Sequence, residues 1–341
     1  MSGVSKEGMQ DVHPGREAVS GVQMDGKRRP ARRGGEQPMV EEATFRSYYG
    51  QPIINKPVWE APDIPGYLFL GGLAGASSVL AAGAQVTGRH SLSRALKVTS
   101  TVAVGMSGVA LVHDLGRPAR FLNMLRVLKP TSPMSVGSWL LAGYAPFSAT
   151  ASFSALTGRL EPAGSAAALV AAAMGSGVAT YTAALVSDTA VPAWHGAYRE
   201  MPFVFAASAM SAAAGAGLVG APLEETRPVQ RLGIASGVAE LALMKVMKQR
   251  LGMVGEAFDE SDKAHRYERG AQMATGVGVA AAALLGRRSR LGSALAGAGL
   301  LVGSALARFA IFEAGLASAE NPRYTVEPQR QRIAHRGQSR A

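Results

Sequence analysis

The residues of this chain best equipped for chemistry stand together in His113-Asp114-Leu115-Gly116-Arg117-Pro118-Ala119-Arg120-Phe121. An imidazole, a carboxylate and two guanidinium groups follow directly on one apolar run. The stretch Lys129-Pro130-Thr131-Ser132-Pro133-Met134-Ser135 leads into the next, with Gly137-Ser138-Trp139 just inside it. Charge at the edge of a hydrocarbon-embedded segment is costly unless it faces a partner, water or a ligand. Proline and glycine forbid the helix from continuing, so the basic segment must turn along the surface. The stretch is therefore expected to wall a polar site at one membrane face.

Tyr181 lies near the end of another apolar run. An amphiphilic carrier that hydrogen-bonds through two carbonyls, such as a quinone, needs donors at headgroup level and an apolar slot for its tail. Tyr181, His113 and Arg117 can donate, and Asp114 can accept a proton, which makes Asp114 the candidate catalytic residue. Deeper in the chain's apolar runs are Glu240, Lys245 and Arg308. A carboxylate at mid-membrane must be paired, protonated or facing a cavity. These three form a possible proton path, and the alternative function is a membrane protein that translocates protons or ions through them.

Composition sets the class. The chain is 48% hydrophobic and 17% charged, with a mean hydropathy of only +0.11. That average hides a segregation, because charge gathers in the first sixty or so residues, a few loops and the end. The runs between are Ala-, Gly-, Val- and Leu-rich on all sides, whereas a soluble bundle would carry an apolar stripe opposite a charged face. The net charge of +11 fits lysines and arginines in cytoplasmic loops and against lipid phosphate. No motif supports nucleic acid as a partner. Because the chain has no cysteine, it carries no thiolate-ligated iron–sulfur cluster. Haem is not expected either, since only His113 comes near a helix interior and axial ligation needs facing pairs.

The elements that must position these residues are about eight transmembrane helices, making the fold all-α: a polytopic membrane helix bundle over residues 64–316. The apolar runs cover 64–86, 92–115, 134–156, 162–187, 201–220, 231–251, 270–285 and 291–316, the seventh being short. An even number puts both termini on one face, called face A below. Face A also carries the long segments 114–133, 188–200 and 254–269. It is the richer in Lys and Arg, so it and both termini are expected in the cytoplasm, with the chain multi-pass in the cell membrane. Residues 1–44 are expected to be a disordered basic tail, and 317–341 a second tail. Residues 45–63, with Tyr48, Tyr49 and Trp59, are too aromatic for a linker and too proline-broken for a helix. This strip is expected to dock a partner.

The Leu-Gly-Arg-Pro segment at 115–118 and the Ser-Pro-Met-Ser segment at 132–135 resemble the signature of the NrfD/PsrC family, the polysulfide-reductase-like membrane subunits of molybdopterin oxidoreductases. Tyr181-Thr182-Ala183-Ala184-Leu185 with Pro192, Trp194, Pro202 and Phe205 resembles a second region of that family. Tyr67-Leu68-Phe69-Leu70-Gly71-Gly72 resembles its first helix. The resemblance implies an eight-helix bundle in two four-helix halves, with a menaquinone or ubiquinone site near the docking face. It also implies a four-cluster ferredoxin-like iron–sulfur subunit as partner, in contact with a molybdenum or tungsten bis-pterin catalytic subunit. On that basis the chain is expected to be the quinone-binding membrane anchor, with the family's tyrosine at Tyr181 and its acid at Asp114.

Overall fold

The computed structural model describes residues 53–115 and 119–338. Residues 1–44, Tyr48, Tyr49 and Arg117 lie outside the described residues. Val58–Ala317 forms one compact unit, and the described residues 53–57 and 318–338 belong to another.

Every regular element among the described residues is helical. The long helices are α1 (Asp63–Val86), α2 (His90–Asp114), α3 (Pro133–Thr157), α4 (Glu161–Ser187), α5 (Met201–Gly220), α6 (Arg227–Leu251), α7 (Asp262–Leu284) and α8 (Arg290–Glu320). Five of them, α1, α2, α4, α5 and α8, are long and apolar enough to cross a membrane. The seventh apolar run is only the distal part of α7, which starts eight residues earlier. Ser261 caps its N-terminus by accepting from the Ala264 amide, and the charged turns 262–269 continue the helix where hydropathy alone breaks off.

Ion pairs and caps show that α1 and α2 run in opposite directions, as do α5 and α6, and α6 and α7. At one end His113 pairs with Asp63, Arg250 with Glu200 and Lys248 with Glu268. At the other, Lys97 donates to Gln85, and Arg290 donates to the α5 carbonyls of Leu218 and Val219. The Glu225 carboxylate caps α2 by accepting from the Ser91 and Leu92 amides. Desolvation, the largest single influence, pushes this carboxyl up, but the Leu92 and Ser91 hydrogen bonds and the nearby His90 together outweigh it and hold its pKa below the usual carboxylate value.

Within the larger unit α1 packs on α2 and α4, and α3 packs on the same two. At the α1–α4 crossing a Cβ on Gly75 would overlap the Gly175 carbonyl, and one on Gly175 would overlap that of Gly75. Such small residues let backbones touch where lipid removes the hydrophobic drive to associate. In the second part α5 packs on α6 and α6 on α7. Gly278 meets Gly299 to join α7 to α8, and Gly215 meets Gly297 to join α5 to α8. Helices α1, α2 and α4 also touch α5.

The interior of α1–α3 is glued by hydroxyls. Tyr144, fully buried, donates to the Ala74 carbonyl at 2.7 Å and lies 2.7 Å from both Ser78 and Ser100. Ser100 reaches Ser148 at 2.6 Å. Interhelical hydrogen bonds of this kind contribute about 0.6 kcal/mol each, up to about 1.7.

The smaller unit contains α9 (Arg323–Gln338). Asn321 accepts from the Arg323 amide at 3.0 Å ahead of it, Arg323 pairs with Glu327 one turn on, and Lys56 pairs with Glu320.

Candidate functional site

At the face A end, α1, α2, α3 and α4 enclose a cavity of about 50 Å³. Its polar lining is Asp114 from α2, Tyr181 from α4, Tyr67 from α1 and Ser138 from α3; Trp59 and several Leu and Met side chains complete it. Two of the four residues expected at the carrier site, Asp114 and Tyr181, thus meet around one space. A ligand site for a drug-sized molecule has roughly 300–1,000 Å³, so the enclosed space admits only part of a quinone ring. The Met124 and Met134 side chains, unbranched and flexible, are the parts of the lining that can yield.

The local sequence explains the geometry. The Ser132 hydroxyl caps α3 by accepting from the Ser135 amide, with Pro133 in the first turn. The Ser135 hydroxyl donates to the Val127 carbonyl and accepts from the Lys129 amide, both at 2.9 Å. The Lys129–Ser135 motif therefore clamps the basic loop to the start of α3. One turn on, a Cβ at Gly137 would strike the Tyr181 ring, so the glycine is the seat of that ring. Ser138 donates to the Met134 carbonyl at 2.9 Å.

The phenol of Tyr181 is hydrogen-bonded to that of Tyr67. Tyr67 is 3% exposed, which fixes the pair from the core side. Asp114 lies beside the Glu60 backbone amide. His113 is turned outward, its side chain 78% exposed, with Nδ1 2.6 Å from Asp63 Oδ2; it does not line the cavity. Trp59 lines the cavity and stacks on Trp194 with ring centroids 5.5 Å apart. Trp194 is buried and donates from its indole nitrogen to the Ile311 carbonyl at 2.8 Å. Sequence reasoning missed Tyr67 and Ser138 as site residues. Both lie in the family-like motifs quoted above, but nothing in their spacing marks them as facing the same space as Tyr181.

Glu240, Lys245 and Arg308 belong to the second group of helices and do not line this cavity. Glu240 is 1% exposed and both its carboxylate oxygens lack a hydrogen-bond partner. Arg308, equally buried, donates to the Phe205 carbonyl at 2.9 Å and stacks its guanidinium 3.6 Å from that ring's centroid. Its Nε and Nη1 have no partner. Lys245 is exposed. Glu240 and Lys245 line a separate cleft of about 520 Å³. Among the described residues no cluster of side chains has the makings of a metal site.

Long apolar helices with polar side chains meeting beneath one rim define an integral membrane protein. The chain belongs to the NrfD polysulphide reductase family, whose model matches residues 53–254, more than half of it. Comparison with curated proteins gives no match.

Proposed function

We propose that the chain is the quinone-reactive membrane subunit of an oxidoreductase complex. It would pass electrons between the iron–sulfur cluster of a ferredoxin-like partner and menaquinone or ubiquinone in the membrane, the partner being served by a molybdopterin subunit. The observation that carries this reading is that Asp114 and Tyr181, from different helices, line one cavity at the end of the bundle where the motif loop lies. Eight membrane-crossing helices in two four-helix halves fit the packing. In each group of four the first and fourth helices meet through a glycine pair, Gly75 with Gly175 and Gly215 with Gly297.

The donor set suits a quinone headgroup: two linked phenols, a serine hydroxyl and a carboxylate above apolar Leu68, Leu111 and Leu185. Reduction of a quinone takes two electrons, which the partner's cluster supplies, and two protons. In this reading Tyr181 donates a hydrogen bond to one carbonyl, held in line by Tyr67. Asp114 delivers or removes the proton at the water side, and Arg117 holds Asp114 ionised or meets the partner. His113, paired outward with Asp63, orients the Asp114 turn. The segment that contains Tyr48, Tyr49 and Trp59 docks the iron–sulfur subunit. Face A and both termini lie in the cytoplasm, with lipid around the bundle.

Asp114→Asn in the purified complex tests this. Quinone-linked turnover is expected to fall by about 10²-fold, the lower range for loss of a general acid–base group, while the partners still co-purify. Undiminished turnover in an intact complex would sink the reading.

A further inference from the structure

The quinone reading concerns the face A end of α2, and the opposite end of that helix lines a cleft of its own. There α2 contributes His90 and Arg94, with Val98 one turn beyond, while α3 contributes Leu156 and α5 contributes Gly220, around a space of about 570 Å³. The end of α5 comes close because both partners are small: a Cβ on Gly220 would lie 2.9 Å from that of Ala95. The cleft therefore sits where the first group of helices meets the second. Most of its polar neighbours are already bonded. The Thr99 hydroxyl donates to the Ala95 carbonyl at 2.9 Å, and Lys97 is turned to Gln85 on α1 at 2.6 Å. Glu225, the acid beside this turn, is taken up by the Ser91 and Leu92 amides and the Ser91 hydroxyl and does not line the cleft. What is left over is the exposed Arg94 guanidinium, which has no hydrogen bond or ion pair among the described residues, and the His90 imidazole.

Beyond the cleft the same face of α2 is apolar and uncovered. Val98, Val102, Met106 and Val109 follow at helical spacing, and the last three are exposed. From Val98 to Val109 is about 16 Å of helix, close to the roughly 15 Å of hydrocarbon in one leaflet. We infer that this cleft holds one molecule of an anionic phospholipid, its phosphate on Arg94 and one acyl chain along α2 from Val98 to Val109. The planar guanidinium can grip two phosphate oxygens at once, and a ring N–H of His90 can add a third contact. A net-negative headgroup fits better than a zwitterionic one, because no carboxylate lines the space to receive an ammonium group beside Arg94. An isolated arginine at this depth would snorkel to whichever phosphate is nearest. Here walls from three helices give the lipid a fixed seat, and in it the lipid bridges the two groups of helices.

The test uses the full chain in its native complex, delipidated in mild detergent and followed by native mass spectrometry as dioleoylphosphatidylglycerol or dioleoylphosphatidylethanolamine is added. The first phosphatidylglycerol is expected to bind about tenfold more tightly than the first phosphatidylethanolamine. Arg94→Gln is expected to remove that preference, and Arg94→Lys, which keeps the charge but loses the fork, to retain part of it. Arg94 is exposed, so neither change should disturb folding, and co-purification of the partners checks this. Equal binding of the two lipids, or a preference unchanged in the intact Arg94→Gln complex, overturns the inference and leaves only an ordinary lipid annulus. So does displacement of the phosphatidylglycerol by inorganic phosphate alone, which would make the ligand a soluble anion. The cleft and the Asp114 cavity lie at opposite ends of α2 and no readout needs quinone turnover, so failure here leaves the Asp114 experiment standing.

Discussion

The interiors of the first and second groups of four helices are both polar, but in opposite ways. Among α1–α3 one buried group of hydroxyls satisfies itself: Ser78, Ser100, Tyr144 and Ser148 form a closed set with the Ala74 carbonyl. Among α5–α8 two large buried polar groups are ionisable, and both Glu240 and Arg308 are left with atoms unbonded. A closed hydroxyl set is glue, since each member gains by staying where it is. Glu240 and Arg308 instead keep polar atoms unbonded, which gains nothing from burial. The difference teaches that buried polar groups in lipid join helices where they satisfy one another and cost stability where they do not.

The largest way to break the comparison is at the helix seam of the first group. Gly75→Leu would drive a side chain into the α4 backbone at Gly175, and a loss of about 3 kcal/mol or failure to assemble is expected, read by unfolding in bicelles. The next step sets the two interiors directly against each other. Tyr144→Phe removes the hub of the closed set and is expected to cost about 1–2 kcal/mol. Glu240→Gln has no hydrogen bonds to lose and is expected to cost less than Tyr144→Phe. A loss of about 3–5 kcal/mol on Glu240→Gln would instead reveal a buried ion pair with Arg308 and erase the contrast.

The smallest effect sharpens the picture at the far end, where charge is exposed and merely caps. Glu225 has its folded pKa depressed below 4.5, so its contribution is complete above that value and disappears as pH falls through the lower folded value. Glu225→Gln is expected to flatten the acid limb of the stability curve by a small amount, and an unchanged curve would show the cap to be inert.

Much of the fold was legible beforehand because lipid imposes a length and a polarity on each span. The five apolar helices coincide with runs read from hydropathy. Where charge enters a helix, as in the first turns of α7, hydropathy loses the boundary and the Ser261 cap decides it. The Leu-Gly-Arg-Pro and Ser-Pro-Met-Ser motifs were legible as a signature. Their physical roles were not, since the clamp made by Ser135 and the ring seat at Gly137 exist only once α3 stands beside α4.

By itself, then, the sequence determined the class of the molecule, the approximate helices, the family resemblance and the acid and phenol worth testing. All of these follow from composition and local pattern. Only the tertiary structure decided that Asp114 and Tyr181 share a cavity while His113 turns away to Asp63. It alone brought Tyr67 to Tyr181 and set Glu240 and Glu268 along one cleft. Those are relations between helices far apart in the chain, and they depend on the rotation of each helix about its axis. That rotation is fixed by glycine contacts, caps and ion pairs made with other helices, which no single segment contains.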